Sequence, residues 1–150
     1  MSATTAEVST SIAASKNKVW QSLTDADAVK QYFMGATVRT DWKVGSLITW
    51  SGEWQGKKFE DKGKVLAFDP ERRLSFSHWS PMGGASDTPN NYHVVTITLD
   101  GVDELTKVTL AQSNLEGGVT DDDRAHREDF EKNWSTMLEG LKQVAEKIEV

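Results

Sequence analysis

The stretch that decides the fold is Thr120–Ile148, TDDDRAHREDFEKNWSTMLEGLKQVAEKI. Phe130, Trp134, Met137, Leu138, Leu141, Ala145 and Ile148 recur at helical intervals, so they share one face of an amphipathic α-helix for about five turns. Thr120, with Asp123 three residues on, approximates a capping box, and Asp121, Asp122 and Asp123 suit the positive end of a helix dipole. Glu128 and Lys132 are spaced as an i,i+4 pair on the outer face. Gly140 lies at the edge of the apolar stripe, where Ala would favour the helix by about 1 kcal/mol. Its presence predicts close packing against a sheet, in preference to a kink that would open a cavity beside the helix.

The residues before this helix supply that sheet. From about residue 36 to residue 113 the hydrophobic period is two. LITWSGEW and KKFEDKGKVLAF flank Gln55-Gly56 and read as a hairpin. Asp69-Pro70-Glu71-Arg72 predicts a type I turn with Pro at its second position. In RLSFSHW, Leu74, Phe76 and His78 fall on one face and Ser75 and Ser77 on the other. A loop of about twelve residues, SPMGGASDTPNN, follows, long enough for Ser80-Pro81-Met82-Gly83-Gly84 to act as a lid or connector. YHVVTITLD and LTKVTLAQS then pair across Gly101-Val102-Asp103-Glu104, with His93, Val95, Ile97 and Leu99 facing Val108, Leu110 and Gln112. Upstream, residues 6–14 form a half-buried strand with Val8, Thr10 and Ile12 on one parity. Ser15 caps a short helix bearing Val19, Trp20 and Leu23, and Asp25 or Asp27 starts a second bearing Val29, Tyr32 and Phe33, stopped by Gly35.

The order is strand, two short helices, about six further antiparallel strands, and one long helix. An antiparallel sheet with one apolar face needs a cover, and only the terminal helix is long enough to supply it. The expected architecture is therefore α+β, a curved sheet wrapped around that helix, in a single domain over residues 1–150. A twisted sheet leaves a gap where it curves away from its helix, and that gap is where a small apolar ligand would sit.

Composition narrows the function. The chain has no Cys, which removes disulfides, thiolate metal sites and cysteine nucleophiles together. No apolar run approaches a membrane span, and the start of the sequence lacks a basic head and an apolar stretch, so a soluble cytoplasmic protein is expected. Of the net charge of −6, residues 116–150 carry most, ten acids against five bases, which reads as a helix start and a solvated face. No basic stripe runs through the chain, so nucleic acid is not an expected partner, although six Trp, five Phe and two Tyr are available for stacking.

The chain resembles the START-like superfamily that includes the birch-pollen allergen, with its helix-grip fold. Within it, the sequence is similar to small bacterial homologues of the activator of heat-shock-protein-90 ATPase. The resemblance is carried by Ile12-Ala13-Ala14, Lys18-Val19-Trp20-Gln21-Ser22-Leu23-Thr24 before Asp25, Val44-Gly45, Gly63-Lys64-Val65-Leu66, Asp69-Pro70-Glu71-Arg72-Arg73-Leu74, and Asn133-Trp134 with Leu138 and Leu141-Lys142. It implies a cavity between sheet and helix, a heat-shock-90 chaperone as a possible partner, and, from relatives that are polyketide cyclases, a possible enzyme. Phe33 stands where many relatives have Trp, and His78 where the strand after Arg73-Leu74 often ends in an aromatic, so the cavity wall differs here.

Three functions are open to such a chain. The first is non-enzymatic binding of a small apolar or amphipathic molecule, with Phe33, Trp54, Phe76, Val95, Trp134 and Met137 as walls and His78 as polar anchor. The second is a co-chaperone-like module acting on a heat-shock-90 ATPase. The third is a cyclase or hydratase that uses Asp61 and His78. Asp61 shares parity with Phe59, Gly63 and Val65, so it faces the cavity if the register holds. There its pKa would rise unless it is paired with His78 or His93. Of the three His, His126 lies on the exposed side of the terminal helix. No H-x-x-x-H or HExxH spacing occurs, and no phosphate-cradling glycine motif lies between strand and helix, so neither a metal nor a cofactor is expected.

Overall fold

The computed structural model describes residues 4–33, 35–80, 86–88 and 91–147, without the side chain of Trp54. The chain runs β1(Ala6–Ile12), α1(Lys16–Thr24), α2(Ala26–Tyr32), β2(Thr37–Arg39), β3(Leu47–Trp54), β4(Lys57–Asp69), β5(Arg73–His78), β6(His93–Val102), β7(Leu105–Asn114) and α3(Asp121–Lys147). The seven strands among the described residues form one antiparallel sheet in the order β1-β7-β6-β5-β4-β3-β2. This is the helix-grip α+β arrangement, with the two short helices after β1 and the long helix at the end.

Local chemistry explains the joints. Ser15 Oγ accepts the Lys18 N–H at 3.3 Å, and Asp25 ends α1 while its carboxylate accepts the Ala28 N–H at 3.1 Å to start α2. At the β3–β4 hairpin both turn residues are left-handed, Gln55 with φ 51° and Gly56 with φ 81°, as a type I′ turn requires. The Asp69–Arg72 turn departs from expectation. Arg72 N–H bonds to the Asp69 carbonyl at 3.0 Å, but Glu71 has φ 64°, the left-handed third position of a type II turn rather than type I. Pro70 suits the second position of both types, so it could not distinguish them. The β6–β7 turn is shorter than expected: Val102 and Leu105 still pair, leaving Asp103-Glu104 alone at the tip.

Inward parity holds along most of the sheet. Ile12, Leu74, Phe76, Val95, Ile97, Val108 and Leu110 are buried in one core with Leu138, Leu141 and Ala145 of α3. A β-bulge between Val65 and Ala67 flips the end of β4. Phe68 thereby turns inward, its ring edge-on to Trp20 at 5.2 Å, while Leu66 is exposed. Ser75 and Ser77 are also buried, their hydroxyls held by Thr96 Oγ1 at 3.0 Å and by the Lys64 N–H at 2.9 Å.

The terminal helix keeps its expected start. Thr120 Oγ1 accepts the Asp123 N–H at 3.0 Å and Asp123 Oδ2 accepts the Thr120 N–H at 2.8 Å, a reciprocal capping box. Ile148 lies outside the described residues. Among the described residues Glu128 and Lys132 do not pair; Arg127 and Glu131 do, at 3.3 Å, on the side of α3 turned toward β1. There Arg127 donates to the Thr4 carbonyl at 3.0 Å, Glu131 accepts the Glu7 N–H at 3.0 Å, and Glu146 accepts the Ala13 N–H at 2.9 Å. One of these contacts falls on β1 at Glu7 and the other two on the residues that flank it, so α3 guards a strand that lies at the edge of the sheet. Gly140 does mark a close approach, but to α2 and not to the sheet: a Cβ there would stand 2.7 Å from Tyr32 Cβ.

Candidate functional site

The core is not continuous along α3. Met137, Leu138, Leu141 and Ala145 are buried, whereas Trp134 and Phe130, one and two turns earlier on the same face, are only half-buried. A part-open cleft of about 620 Å³ borders the helix there. Phe33, Phe130, Trp134 and Met137 supply its apolar wall, and Asp61, His78, His93 and Gln112 its polar one.

β4 and β5 place the polar centre. Phe59, Asp61, Gly63 and Val65 are all buried, so the register holds and the Asp61 carboxylate is turned inward, 5% exposed. Between the Lys62–Trp79 bridge and the Val65–Phe76 pair, β4 passes so close to β5 that a Cβ at Gly63 would overlap the Ser77 carbonyl. That approach brings Asp61 Oδ2 within 2.8 Å of His78 Nε2. Asp61 Oδ1 is buried and has no hydrogen-bond partner among the described residues. Trp50 meets the His78 ring edge-on at 5.1 Å and stacks on Phe33 at 5.9 Å, so the imidazole is packed against aromatic rings.

His93 sits directly across the β5–β6 ladder from His78, so both rings face the cleft. Its ring lies edge-on to Phe130 at 5.8 Å. Burial pushes the His93 pKa below its ordinary value, Asp123 pulls against that, and the neighbouring His78 adds to the lowering. Burial opposes ionisation of Asp123, but hydrogen bonds from Thr120 and from Asn114 Nδ2 at 2.8 Å outweigh it and hold this carboxyl below the usual range. Gln112 is committed at both ends, its Oε1 accepting Trp134 Nε1–H and its Nε2–H donating to Thr5 Oγ1, each at 2.7 Å. Tyr32 OH donates to the Ser22 carbonyl at 2.8 Å, and burial raises its pKa. Among the described residues no three His, Asp or Glu form a group that could hold a metal.

On the outer face, residues 86–88 are moored to the sheet. Asp87 pairs with Lys62 and accepts Tyr92 OH at 2.6 Å, and Trp79 stacks on Tyr92 at 6.3 Å. Hydrogen bonds from Lys62 and Tyr92 hold the Asp87 carboxyl low, while burial and then Asp87 push the Tyr92 phenol up to about 12. Of the expected lid, Ser80 lines the cleft and residues 81–85 lie outside the described residues.

Of the residues singled out in the sequence, Phe33, His78, Trp134, Met137 and Asp61 come together at the cleft. Phe76 lines a small space of about 30 Å³ that borders the cleft at Tyr32, Phe33 and Met137. Val95 is fully buried and lines neither, and the Trp54 side chain lies outside the described residues. Tyr32, Phe130, Asn133 and Thr136 also border the cleft without having been singled out as wall residues. The stripe of α3 already contained Phe130, and the signal that it lines space rather than core would have been its distance from the aliphatic end of that stripe.

The sequence from residue 13 to residue 146 matches the family model described as activator of Hsp90 ATPase homolog 1-like protein. The chain belongs to that family. It is an SRPBCC, START-like domain, as its motifs imply. No curated protein matches it. Among solved structures, one from Cytophaga hutchinsonii, determined in solution, is 46% identical over 92% of this chain and 90% of that one, with a TM-score of 0.73. A crystal structure from Mesorhizobium loti is 24% identical over 96% of this chain and 99% of that one, with a TM-score of 0.71. The Aha1 dimer from Colwellia psychrerythraea is 24% identical over 94% of this chain and 95% of that one, with a TM-score of 0.67. The last two show likeness of fold. No helix among the described residues is long and apolar enough to cross a membrane.

Proposed function

We propose that this protein binds a small amphipathic molecule in the cleft under the first half of α3. The observation that carries this reading is a space of about 620 Å³ with an apolar wall and a buried carboxylate–imidazole pair on its floor. Small-molecule sites span roughly 300–1,000 Å³, mostly apolar with a few convergent polar groups that orient the ligand. Phe33, Phe130, Trp134 and Met137 would hold the apolar body, and the Asp61–His78 pair the polar end. Native mass spectrometry of the freshly expressed protein, with extraction of what it carries, tests this. A stoichiometric adduct that is lost when Asn133→Trp fills the mouth of the cleft is the expected result. No adduct, and no saturable binding from a panel of lipids and aromatics, removes the reading.

Family membership supports a second reading, a module that acts on a heat-shock-90 ATPase. It predicts that titrating the protein into a bacterial heat-shock-90 chaperone changes ATP turnover and gives a complex by light scattering. Unchanged turnover with no complex dismisses it.

A further inference from the structure

One wall of the cleft is held in place by a residue that does not border it. Resting on the binding reading above, we infer that Thr5 is a positioning residue for the ligand, acting on the Trp134 wall through Gln112.

Trp134 needs such support. Between Asp123 and Met137 no residue of α3 is buried, so burial does not fix the indole. Its N–H does, lying 2.7 Å from Gln112 Oε1, and an indole nitrogen can only donate. That orients the amide, because a turned amide would set NH2 against N–H. Gln112 Nε2–H therefore points at Thr5 Oγ1, which accepts it at 2.7 Å. The Thr5 hydroxyl proton is left for the Gln112 main-chain carbonyl at 3.4 Å, which also accepts the Thr5 N–H at 2.7 Å. Every direction in this chain follows from the indole, and none of its three side chains titrates. Trp134 and Gln112 line the cleft and Thr5 does not. Gln112 is 3% exposed and Thr5 1%, so neither has ready water as a substitute partner. Without the Thr5 hydroxyl the buried Nε2–H has no acceptor, a cost the amide relieves by turning away, and in turning it gives up the indole. The ring so released is the one that meets Phe33 at 6.4 Å on the apolar wall. Thr5 itself is well seated, since Arg127 and Glu131 of the same stretch of α3 bond to the Thr4 carbonyl and the Glu7 N–H on either side of it. The coupling runs both ways: a ligand that stabilises the held indole also stabilises the docked Thr5.

The test titrates 2-naphthol into the full chain, into Thr5→Val, which keeps the shape without the hydroxyl, and into Thr5→Ser, which keeps the hydroxyl. NMR follows the Trp134 indole N–H, assigned by its absence from Trp134→Phe. Before any probe is added, Thr5→Val is expected to shift that signal and to speed its exchange with solvent. It is then expected to bind 2-naphthol about fivefold or more weaker than the wild type, the scale of a coupling between two sites. Thr5→Ser is expected to keep the wild-type signal and affinity. Loss of packing alone would give the reverse, since Thr5→Ser removes a buried methyl and Thr5→Val does not. Wild-type affinity in Thr5→Val, an unmoved indole signal, or equal loss in both variants overturns the inference and leaves the binding reading intact. If Thr5→Val does not fold, the wild type still decides: 2-naphthol must slow exchange of the Thr5 amide along with the indole, and slowing at the indole alone overturns the inference. A wild type that binds no 2-naphthol sinks it together with the binding reading.

Discussion

Gly140 shows how a single position can be governed by a neighbour remote in sequence. In isolation, Gly140→Ala would strengthen α3 by about 1 kcal/mol. In the folded chain the added Cβ would meet Tyr32 Cβ at 2.7 Å, on the residue whose hydroxyl ties α2 to α1 through Ser22. We expect the clash to win, with a net loss of about 1–3 kcal/mol, read as a lower midpoint in urea denaturation. His93 makes a second residue-scale prediction. Its folded pKa lies below the ordinary 6.5, so the unfolded chain takes up the proton first as the pH falls. The stability it contributes is therefore present above that value and lost below it. His126 has the opposite sign, raised first by its bond to the Asp122 carbonyl, but it is exposed and solvent screens it. The urea midpoint is expected to fall between about pH 7 and pH 5, and His93→Gln to flatten that slope.

Among the elements, α3 is governed by its two ends and by what each touches. Removing the cap with Thr120→Ala leaves the Asp123 N–H without its side-chain acceptor and is expected to cost about 1 kcal/mol. Hydrogen exchange should quicken in the first turns of the helix, beside the cleft, while the buried second half stays protected. Elements of this kind were legible from the sequence because their signals are local: a capping pair, a Gln-Gly turn, an alternating strand. The Asp61 parity was legible for the same reason. What stayed hidden depended on how one element meets another. Nothing in KVLAF announces the bulge that turns Phe68 inward, because the gain is its contact with Trp20, some fifty residues earlier. Pro70 could not choose its turn type, and Glu71 gives no warning of a left-handed φ. Likewise the choice of His78 over His93 as the partner of Asp61 rests on the crossing at Gly63, a backbone approach no side-chain pattern records.

At the scale of the molecule, the sheet and α3 make two different contacts, a dry one at Leu138–Ala145 and an open one at Phe130–Met137. Stability and ligand capacity are therefore separable. Asn133→Trp, at an exposed lining position, is expected to leave the thermal midpoint within a few degrees while abolishing probe binding, since it removes space without removing packing. Leu141→Ala, in the dry half, is expected to do the reverse, costing about 2–5 kcal/mol in urea denaturation. Both outcomes are checked on the same pair of variants by calorimetry and titration.

The rim of β1 has a consequence for how the chain comes into being. Among the described residues β1 finds its ladder in β7, which begins at residue 105, while the N–H of Glu7 and that of Ala13, just past the strand, find acceptors in Glu131 and Glu146. On a ribosome β1 is made before the other strands of its sheet and is sealed after them. Until the final helix has emerged, an alternating strand waits with bare backbone on both sides, the very surface that another nascent copy could zip onto. The vulnerable interval of this protein is its synthesis, and its length is set by the stretch of chain between Ala13 and Glu146.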